Sequence, residues 1–519
     1  MRIKDLKYLG LLPAILASCQ TGGRANDPLV LPKLPDGFKP RNVIFIFSDD
    51  HRYDYMSFTG VVPFLETPHM DRMVRDGAHL KNAYVATSLS SPGRATILTG
   101  LYSHQHTVVD NQAPVPEGLT FFPQYLQKAG YKTAFFGKWH MGHENDEPRP
   151  GFDHWESFRG QGVYYNPTLN INGERIKFED DTYITDLLTE HAINWMTDNK
   201  DDAQPFFVYL SHKAVHAEFA PARRHAGRYA GQEVPVPPSF NTPRYGTPTL
   251  PTIDRQTGRP KVGADYYGES MHPDWAKAQR ESWHGVDYAY HGRGSWQQNA
   301  IRYCETLLSL DESIGAVLDF LEANGLAEST LVIYTTDNGF AWGEHGLIDK
   351  RHFYEASARI PMFAYAPGLI EPGTVVEQMV QNIDIAPTIL EMAGLQAPEE
   401  MVGASFVPLL AGKEVAWRER IFYEYYWEYD FPQTPTMHGV RTDRYKLIRY
   451  HGIWDTNEFY DLVNDPHEMQ NLIAVTEHQD LIRQLTEELY DWLESTDGMS
   501  IPLKRTVRRQ NDHRNRGSY

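Results

Sequence analysis

The strongest constraint on the fold of this chain is a set of short, almost wholly apolar runs that each break off in polar or charged residues. Asn42-Val43-Ile44-Phe45-Ile46-Phe47-Ser48 ends in Asp49-Asp50, and Leu331-Val332-Ile333-Tyr334-Thr335-Thr336 ends in Asp337-Asn338-Gly339. Thr133-Ala134-Phe135-Phe136 runs into Gly137-Lys138-Trp139-His140, and Phe206-Phe207-Val208-Tyr209-Leu210 runs into Ser211-His212-Lys213-Ala214-Val215-His216. A strand without polar alternation is covered on both faces, the condition of a parallel sheet between helical layers. Helical patterns fall between the runs, at 181–198, about 296–324 and 383–394. This alternation, from 41 to about 400, predicts an α/β domain with a large, mostly parallel (mixed) sheet flanked by helices. Ligands of open α/β sheets gather beyond the carboxyl ends of the strands, so the residues after these runs are the first site candidates.

The pattern changes near 401. Ile421-Phe422-Tyr423-Glu424-Tyr425-Tyr426-Trp427 and Tyr445-Lys446-Leu447-Ile448-Arg449-Tyr450 alternate like antiparallel strands, Asp461-Leu462-Val463-Asn464-Asp465-Pro466 marks a turn, and 477–494 reads as a closing helix. A larger domain over 41–400 and a smaller C-terminal α+β domain over 401–519 follow. Residues 220–295 break the alternation with many Pro, Gly, Tyr and His residues. The aromatics Tyr266, Tyr267, Trp275, Trp283, Tyr288 and Tyr290 fit either a carbohydrate cleft or a packed insertion. The tail beyond 503 is basic, no internal repeat is present, and no apolar stretch is long enough to span a bilayer.

Between the first two runs lies Ser88-Leu89-Ser90-Ser91-Pro92-Gly93-Arg94-Ala95-Thr96-Ile97-Leu98-Thr99-Gly100. Pro92 suits the first turn of a helix, which puts Ser90 at a helix N-terminus, where the dipole favours negative charge. The segment resembles the signature of the type I sulfatases, Cys/Ser-x-Pro-x-Arg followed by Thr-Gly. The resemblance implies that Ser90 is converted to formylglycine, the hydrated aldehyde that acts as nucleophile, and that Arg94 supports it. A serine there implies the radical, iron–sulfur maturase as partner. The family most often has Ser or Ala where this chain has Gly93.

The other family motifs follow in order from about 40 to 495. Asp49, Asp50, Asp337 and Asn338, with Ser90, match the metal ligands, and such an oxygen-only set suits Ca²⁺, with Mg²⁺ possible in a tighter cage. Gly137-Lys138-Trp139-His140 resembles the Gly-Lys-x-His element, so Lys138 would bind sulfate and His140 would hydrogen-bond the formylglycine hydrate. His216 matches the acid that protonates the leaving alcohol, with His212 as rival. Gly343-Glu344-His345-Gly346-Leu347-Ile348-Asp349-Lys350-Arg351 supplies Lys350, the second sulfate-binding lysine. Arg351, His352 and His143 are candidates for sugar contacts. Tyr460-Asp461-Leu462 and Asp465-Pro466-x-Glu468-x-x-Asn471-Leu472 resemble the family's small C-terminal domain.

The chemistry explains these residue types. The oxygens of a sulfate ester repel an anionic nucleophile, and a divalent cation, two lysines and an arginine offset that repulsion. The N-terminus adds a compartment. Arg2, Lys4 and Lys7 precede an apolar stretch from Tyr8 to Ala17, and Leu16-Ala17-Ser18-Cys19 resembles a bacterial lipobox. Residues 1–18 are then a lipoprotein signal peptide, Cys19 is lipidated, and 19–40 is a tether. The implied location is the outer membrane or periplasm of a bacterium, with the membrane reached through the lipid anchor. With Cys19 acylated, Cys304 is the other of two cysteines and no disulfide can form. A net charge of −19 argues against a nucleic-acid partner.

The expected activity is removal of sulfate from a sulfated polysaccharide or its oligosaccharides. An algal polymer such as ulvan is the first expectation and a host glycan the second. Two alternatives remain on the sequence: a phosphate or phosphonate ester hydrolase of the same alkaline phosphatase-like superfamily, and a catalytically silent glycan-binding lipoprotein.

Overall fold

The computed structural model describes residues 27–34, 39–142, 145–242, 272–288, 290 and 294–502. Cys19 and the signal segment, His143, Tyr266, Tyr267 and the basic tail lie outside the described residues.

The apolar runs become the middle of a ten-stranded sheet. Thr330–Thr336, Asn42–Ser48, Phe206–Ser211, Lys132–Gly137 and His154–Ser157 lie side by side and parallel. Antiparallel strands join at both sides: Phe363–Tyr365 against Thr330–Thr336, and Thr168–Ile171 with Glu174–Lys177 beyond His154–Ser157. Ala78–Leu80 and Thr374–Val376 complete one edge. The sheet is therefore mixed, as expected.

Its register fixes the site. Ser48 pairs with Thr336, so Asp49-Asp50 and Asp337-Asn338 leave neighbouring strands at the same level. Phe45, Phe47, Phe135, Trp155 and Tyr209 pack on one face. Ile44, Ile46, Val208 and Tyr334 pack on the other, under the helices Ile184–Asn199 and Trp296–Ala323. Burying each such side chain contributes about 1.5–3 kcal/mol. Trp296–Ala323 starts in a capping box: the Ser295 hydroxyl accepts from Gln298 N at 3.2 Å, and Gln298 Oε1 accepts from Ser295 N at 3.0 Å. Cys304 is a buried core residue of this helix. Among the described residues, no helix is long and apolar enough to cross a membrane.

The C-terminal part is an antiparallel meander of Arg420–Tyr425, Thr436–Thr442, Tyr445–His451 and Glu458–Asp461, with the helix Gln479–Ser495 packed on it. Of these strands, Thr436–Thr442 was not legible. Its sequence, Thr-Met-His-Gly-Val-Arg-Thr, lacks alternation because it is an inner strand whose residues are buried along nearly its whole length.

The two parts are joined by buried polar groups. His104 Nδ1 lies 2.7 Å from Glu424 Oε2, the Tyr426 hydroxyl donates to the same oxygen at 2.8 Å, and Ser103 N donates to Glu424 Oε1. Burial opposes ionisation of both groups, yet the Glu424 contact raises the His104 pKa above its ordinary value. The His104 and Tyr426 contacts likewise hold the Glu424 carboxyl below its own. The histidine's contribution is complete below its unfolded pKa and is lost as pH rises through the folded value. The glutamate's is lost as pH falls through its depressed one. Glu424→Ala should therefore lower stability by about 3–5 kcal/mol near pH 6, and the difference from wild type should shrink by pH 9 in urea unfolding.

Of the two readings of 220–295, packing holds for the aromatics in view. Trp275, Trp283 and Tyr290 are buried, and only Tyr288 is exposed. Asp455 of the C-terminal part accepts from Asp274 N and Trp275 N at 2.9 and 2.8 Å, fixing the start of the helix Asp274–Arg280.

Candidate active site

The strand ends converge on the helix Ser90–Thr99, which begins at Ser90 and ends at Gly100 in the left-handed region. Every residue of this helix is buried. Arg94 ties it to the sheet. Its Nη1 donates to Lys138 O at 2.7 Å and to Ser211 Oγ at 2.9 Å, and its Nη2 lies 3.3 Å from both Asp337 Oδ2 and Asp49 Oδ2. A guanidinium is tolerated at such depth only when paired in this way.

Gly93 permits a close approach. A Cβ there would stand 2.8 Å from the Asp337 carbonyl oxygen, which accounts for glycine where the family pattern has Ser or Ala. Gly137 does the same for Lys138. With φ of +113° and a Cβ that would overlap Ser211 O, only glycine lets the chain turn so that Lys138 N donates to Ser211 O at 2.8 Å.

Asp49, Asp50, Asp337 and Asn338 are fully buried together. Asp50 N donates to Asp337 Oδ1 at 3.1 Å and Asn338 Nδ2 to Asp50 Oδ1 at 2.7 Å. Lys138 bonds Asp49 Oδ2, and Lys350 bonds Asp50 Oδ1. Three oxygens of the cluster have no hydrogen-bond partner among the described residues: Asp49 Oδ1, Asp50 Oδ2 and Asn338 Oδ1. Buried oxygens are rarely left unsatisfied, so three in one cluster fit a hard cation.

Asp49 and Asp50, with His216 beside them, have ligand atoms within 4.8 Å of one another, and two atoms each ~2.4 Å from Ca²⁺ are at most ~4.8 Å apart, so the two carboxylates are close enough to share one ion. Electrostatics agree as well. Burial, with repulsion from Asp49 and Asp337, outweighs Lys350 and pushes the Asp50 carboxyl up to about 7. Burial also acts on Asp49, but Lys138, Arg94 and Lys350 together bring it down to about 2. Asp50 itself sits in the left-handed region, φ +62°, a strained conformation kept where geometry matters.

Ser90 Oγ is 3.3 Å from Lys350 Nζ, so the lysine spans Ser90 and Asp50. Lys138 also donates to Gln161 Oε1 at 2.5 Å. His140, φ +53°, has an unpartnered buried Nδ1, and its carbonyl accepts from Ser91 Oγ. His216 Nδ1 donates to Ala217 O at 2.7 Å and turns Nε2 towards Asp50 Oδ2, 3.7 Å away. Burial, then the nearby lysines, keeps both imidazoles neutral, well below the ordinary value. His212 is elsewhere: its Nε2 meets Ser313 Oγ at 2.9 Å, joining strand to helix.

Arg351 is buried and committed to carboxylates. Its Nη1 donates to Asp349 Oδ2 at 2.7 Å and its Nε to Glu428 Oε1 at 2.9 Å, with the guanidinium 3.4 Å from the Phe431 ring centroid. His352 is buried beside Trp275 and Tyr354 with neither ring nitrogen hydrogen-bonded.

The sequence reading passed over two residues of this neighbourhood. Asp349, φ +97°, bridges Arg351 and His284 Nδ1, the latter at 2.6 Å. It stood next to Lys350 in the same motif, which was its only signal. Lys213, three residues before His216, is buried, and burial brings its ammonium down to about 7.

A model of the sulfatase family matches residues 41–395, and a model described as "N-sulphoglucosamine sulphohydrolase, C-terminal" matches 343–495. The chain is 34% identical to an N-acetylglucosamine-6-O-sulfatase of Bacteroides thetaiotaomicron, over 92% of this chain and 89% of that protein. It is 30% identical to the human N-acetylglucosamine-6-sulfatase over 75% of this chain and 68% of the relative. It superimposes with a TM-score of 0.75 and 32% identity on a protein solved with its substrate D-glucosamine-2-N,6-O-disulfate, covering 89% of this chain and 99% of the other. With the family model spanning well over half the chain and the sheet, helix and acidic cluster arranged as described, this chain belongs to the sulfatase family.

Proposed function

We propose that the enzyme removes the 6-O-sulfate of glucosamine units in glycosaminoglycan-type glycans. The observation that carries this reading is the match over about nine-tenths of both chains to an N-acetylglucosamine-6-O-sulfatase. The algal polymer expected first from sequence has no such support. The chemistry rests on Ser90, on the lysines at Asp49 and Asp50, and on the unpartnered oxygens between them.

Asp49, Asp50, Asp337 and Asn338 would hold Ca²⁺ or Mg²⁺, and Ser90, once converted to formylglycine by a radical maturase, would join them. Bound there, the cation would supply Lewis acidity and the hydrated formylglycine would supply the nucleophile. Lys138 and Lys350 bind the remaining sulfate oxygens and offset their charge. Arg94 is a positioning residue that holds the helix against the strand ends. His140 accepts or returns a proton at residue 90.

His216 gives a proton to the departing sugar oxygen. With Nδ1–H held on Ala217 O, Nε2 is bare in the neutral ring, and it takes up a solvent proton as the sulfate binds, the proton it then passes to the sugar oxygen. An incoming sulfate offsets the repulsion from Lys138 and Lys350 and so raises the affinity of Nε2 for that proton. His216→Ala should lower kcat by roughly 10²–10⁴-fold on a sugar sulfate. The loss should be much smaller on a nitrophenyl sulfate, whose leaving group needs no proton. Equal losses on both would remove the acid role.

The deciding experiment uses protein made in cells with a radical maturase. The peptide carrying Ser90 should be two hydrogens lighter than encoded. The enzyme should release sulfate from N-acetylglucosamine 6-sulfate faster than from ulvan oligosaccharides, with phosphate monoesters poor substrates. An unmodified peptide with phosphate ester turnover would favour the phosphoesterase. We also propose export as a lipoprotein anchored at Cys19. Labelled palmitate should enter the wild type and not Cys19→Ala, and label in the variant would refute the anchor.

A further inference from the structure

Beside the reaction centre, a cavity of about 470 Å³ is lined by Gln161, Tyr164, Tyr165, Lys213, His216 and Glu218, among others. It touches the sulfur-transfer machinery on two sides. His216 forms part of its wall, with its carbonyl held by the Tyr164 hydroxyl at 2.7 Å. Gln161 carries the wall to Lys138, whose ammonium it accepts.

Lys213 is the unexplained member. It is only 3% exposed. Its Nζ donates to the Ala217 carbonyl at 3.2 Å and stands 4.8 Å from the centroid of the Tyr164 ring. Among the described residues no carboxylate lies within ion-pair distance of it. The ordinary fate of a buried ammonium is a carboxylate partner, because an uncompensated charge is costly to bury. Arg94, Lys138, Lys350, Arg351 and Lys446 all have one in this protein. Lys213 faces a cavity instead.

We propose that Lys213 is a specificity-determining residue that binds a second anionic group of the saccharide, while the scissile sulfate lies at Ser90. The inference rests on the glycan 6-O-sulfatase reading and adds what that reading leaves open, the substituent next to the reacting ester. Two sources carry this chemistry: a sulfo group on the same sugar, and the carboxylate of an adjoining uronic acid. In either case the ligand supplies a counter-charge in direct contact with the ammonium, where Asp49 and Asp50 act only from beyond ion-pair distance and Glu218 shares the cavity wall.

The test compares three substrates on the full-length, matured enzyme. They are N-acetylglucosamine 6-sulfate, glucosamine-2-N,6-O-disulfate, and a uronate-linked disaccharide of N-acetylglucosamine 6-sulfate. The wild type should prefer one of the charged substrates over the first by about 10-fold or more in KM, and which one identifies the source. Lys213→Gln should lose roughly 10–10²-fold more in KM on that substrate than on the first, and Lys213→Arg should recover part of the difference.

Equal losses on all three substrates would overturn the inference, since Lys213 would then only balance the charge of Asp49 and Asp50. No wild-type preference would overturn it as well. If the glutamine variant does not fold, inhibition of the wild type decides. Either N-sulfoglucosamine or the uronate-linked disaccharide without its 6-sulfate should bind at least about 10-fold more tightly than N-acetylglucosamine, and no difference for either overturns the inference. Failure of the functional reading looks different: the wild type would release sulfate from none of the three, while calorimetric binding of those two products would still report on Lys213.

Discussion

Ser90→Ala abolishes sulfate release, by on the order of 10⁴–10⁶-fold, and leaves the fold in place. The size follows from the proposed chemistry. Without a side-chain oxygen at 90 there is nothing for a maturase to oxidise and no nucleophile, and Lys138, Lys350 and the cation can then only bind the substrate. The preserved fold follows from packing. Ser90 opens a buried helix held by Arg94 at four strand ends, and its hydroxyl meets Lys350 at 3.3 Å. Removing one such contact changes stability by about 1 kcal/mol. Sulfate release, near-ultraviolet circular dichroism and the melting temperature test both halves. Turnover within about tenfold of wild type in this variant would sink the mechanism.

The second large effect concerns the acidic cluster. Chelation should bring activity to the background, and Ca²⁺ or Mg²⁺ should restore it. Asp50→Asn keeps the shape of the side chain but removes its charge, and should lower kcat/KM by about 10³-fold or more. Binding has a readout of its own. Returning the cation to chelated wild type at 100 times its Kd should stabilise the fold by about 2.7 kcal/mol, seen as a rise in Tm. Asp50→Asn should show a much smaller rise. Full activity in protein shown to be free of metal by elemental analysis would contradict the assignment of Asp49, Asp50, Asp337 and Asn338.

Much of this arrangement was legible because its parts are local. The strand at 42–48 announces itself by six consecutive apolar or small residues, and the acidic pair at its end needs only the chain direction to be placed. The helix start at Ser90 follows from Pro92 in its first turn. What was illegible depends on neighbours distant in sequence. Thr436–Thr442 is a strand because Arg420–Tyr425 and Tyr445–His451 flank it, not because of its own pattern. Trp275 and Trp283 suit a sugar-stacking surface by type, yet the packing of the insertion against the C-terminal part buries them. Arg351 was a candidate for sugar contacts by its place beside Lys350, and the structure commits its charge to Asp349 and Glu428.

The sequence by itself determined the α/β class, the family and the identity of the residues that surround Ser90, because those depend on apolar periodicity and short motifs. The tertiary structure alone decided which oxygens remain unpartnered among the described residues, which of His212 and His216 faces Asp50, and that Lys213 is buried with no described carboxylate in ion-pair distance. Those facts arise where four strands end at one level, and a linear chain holds no record of which side chains have used up one another's hydrogen bonds and charge.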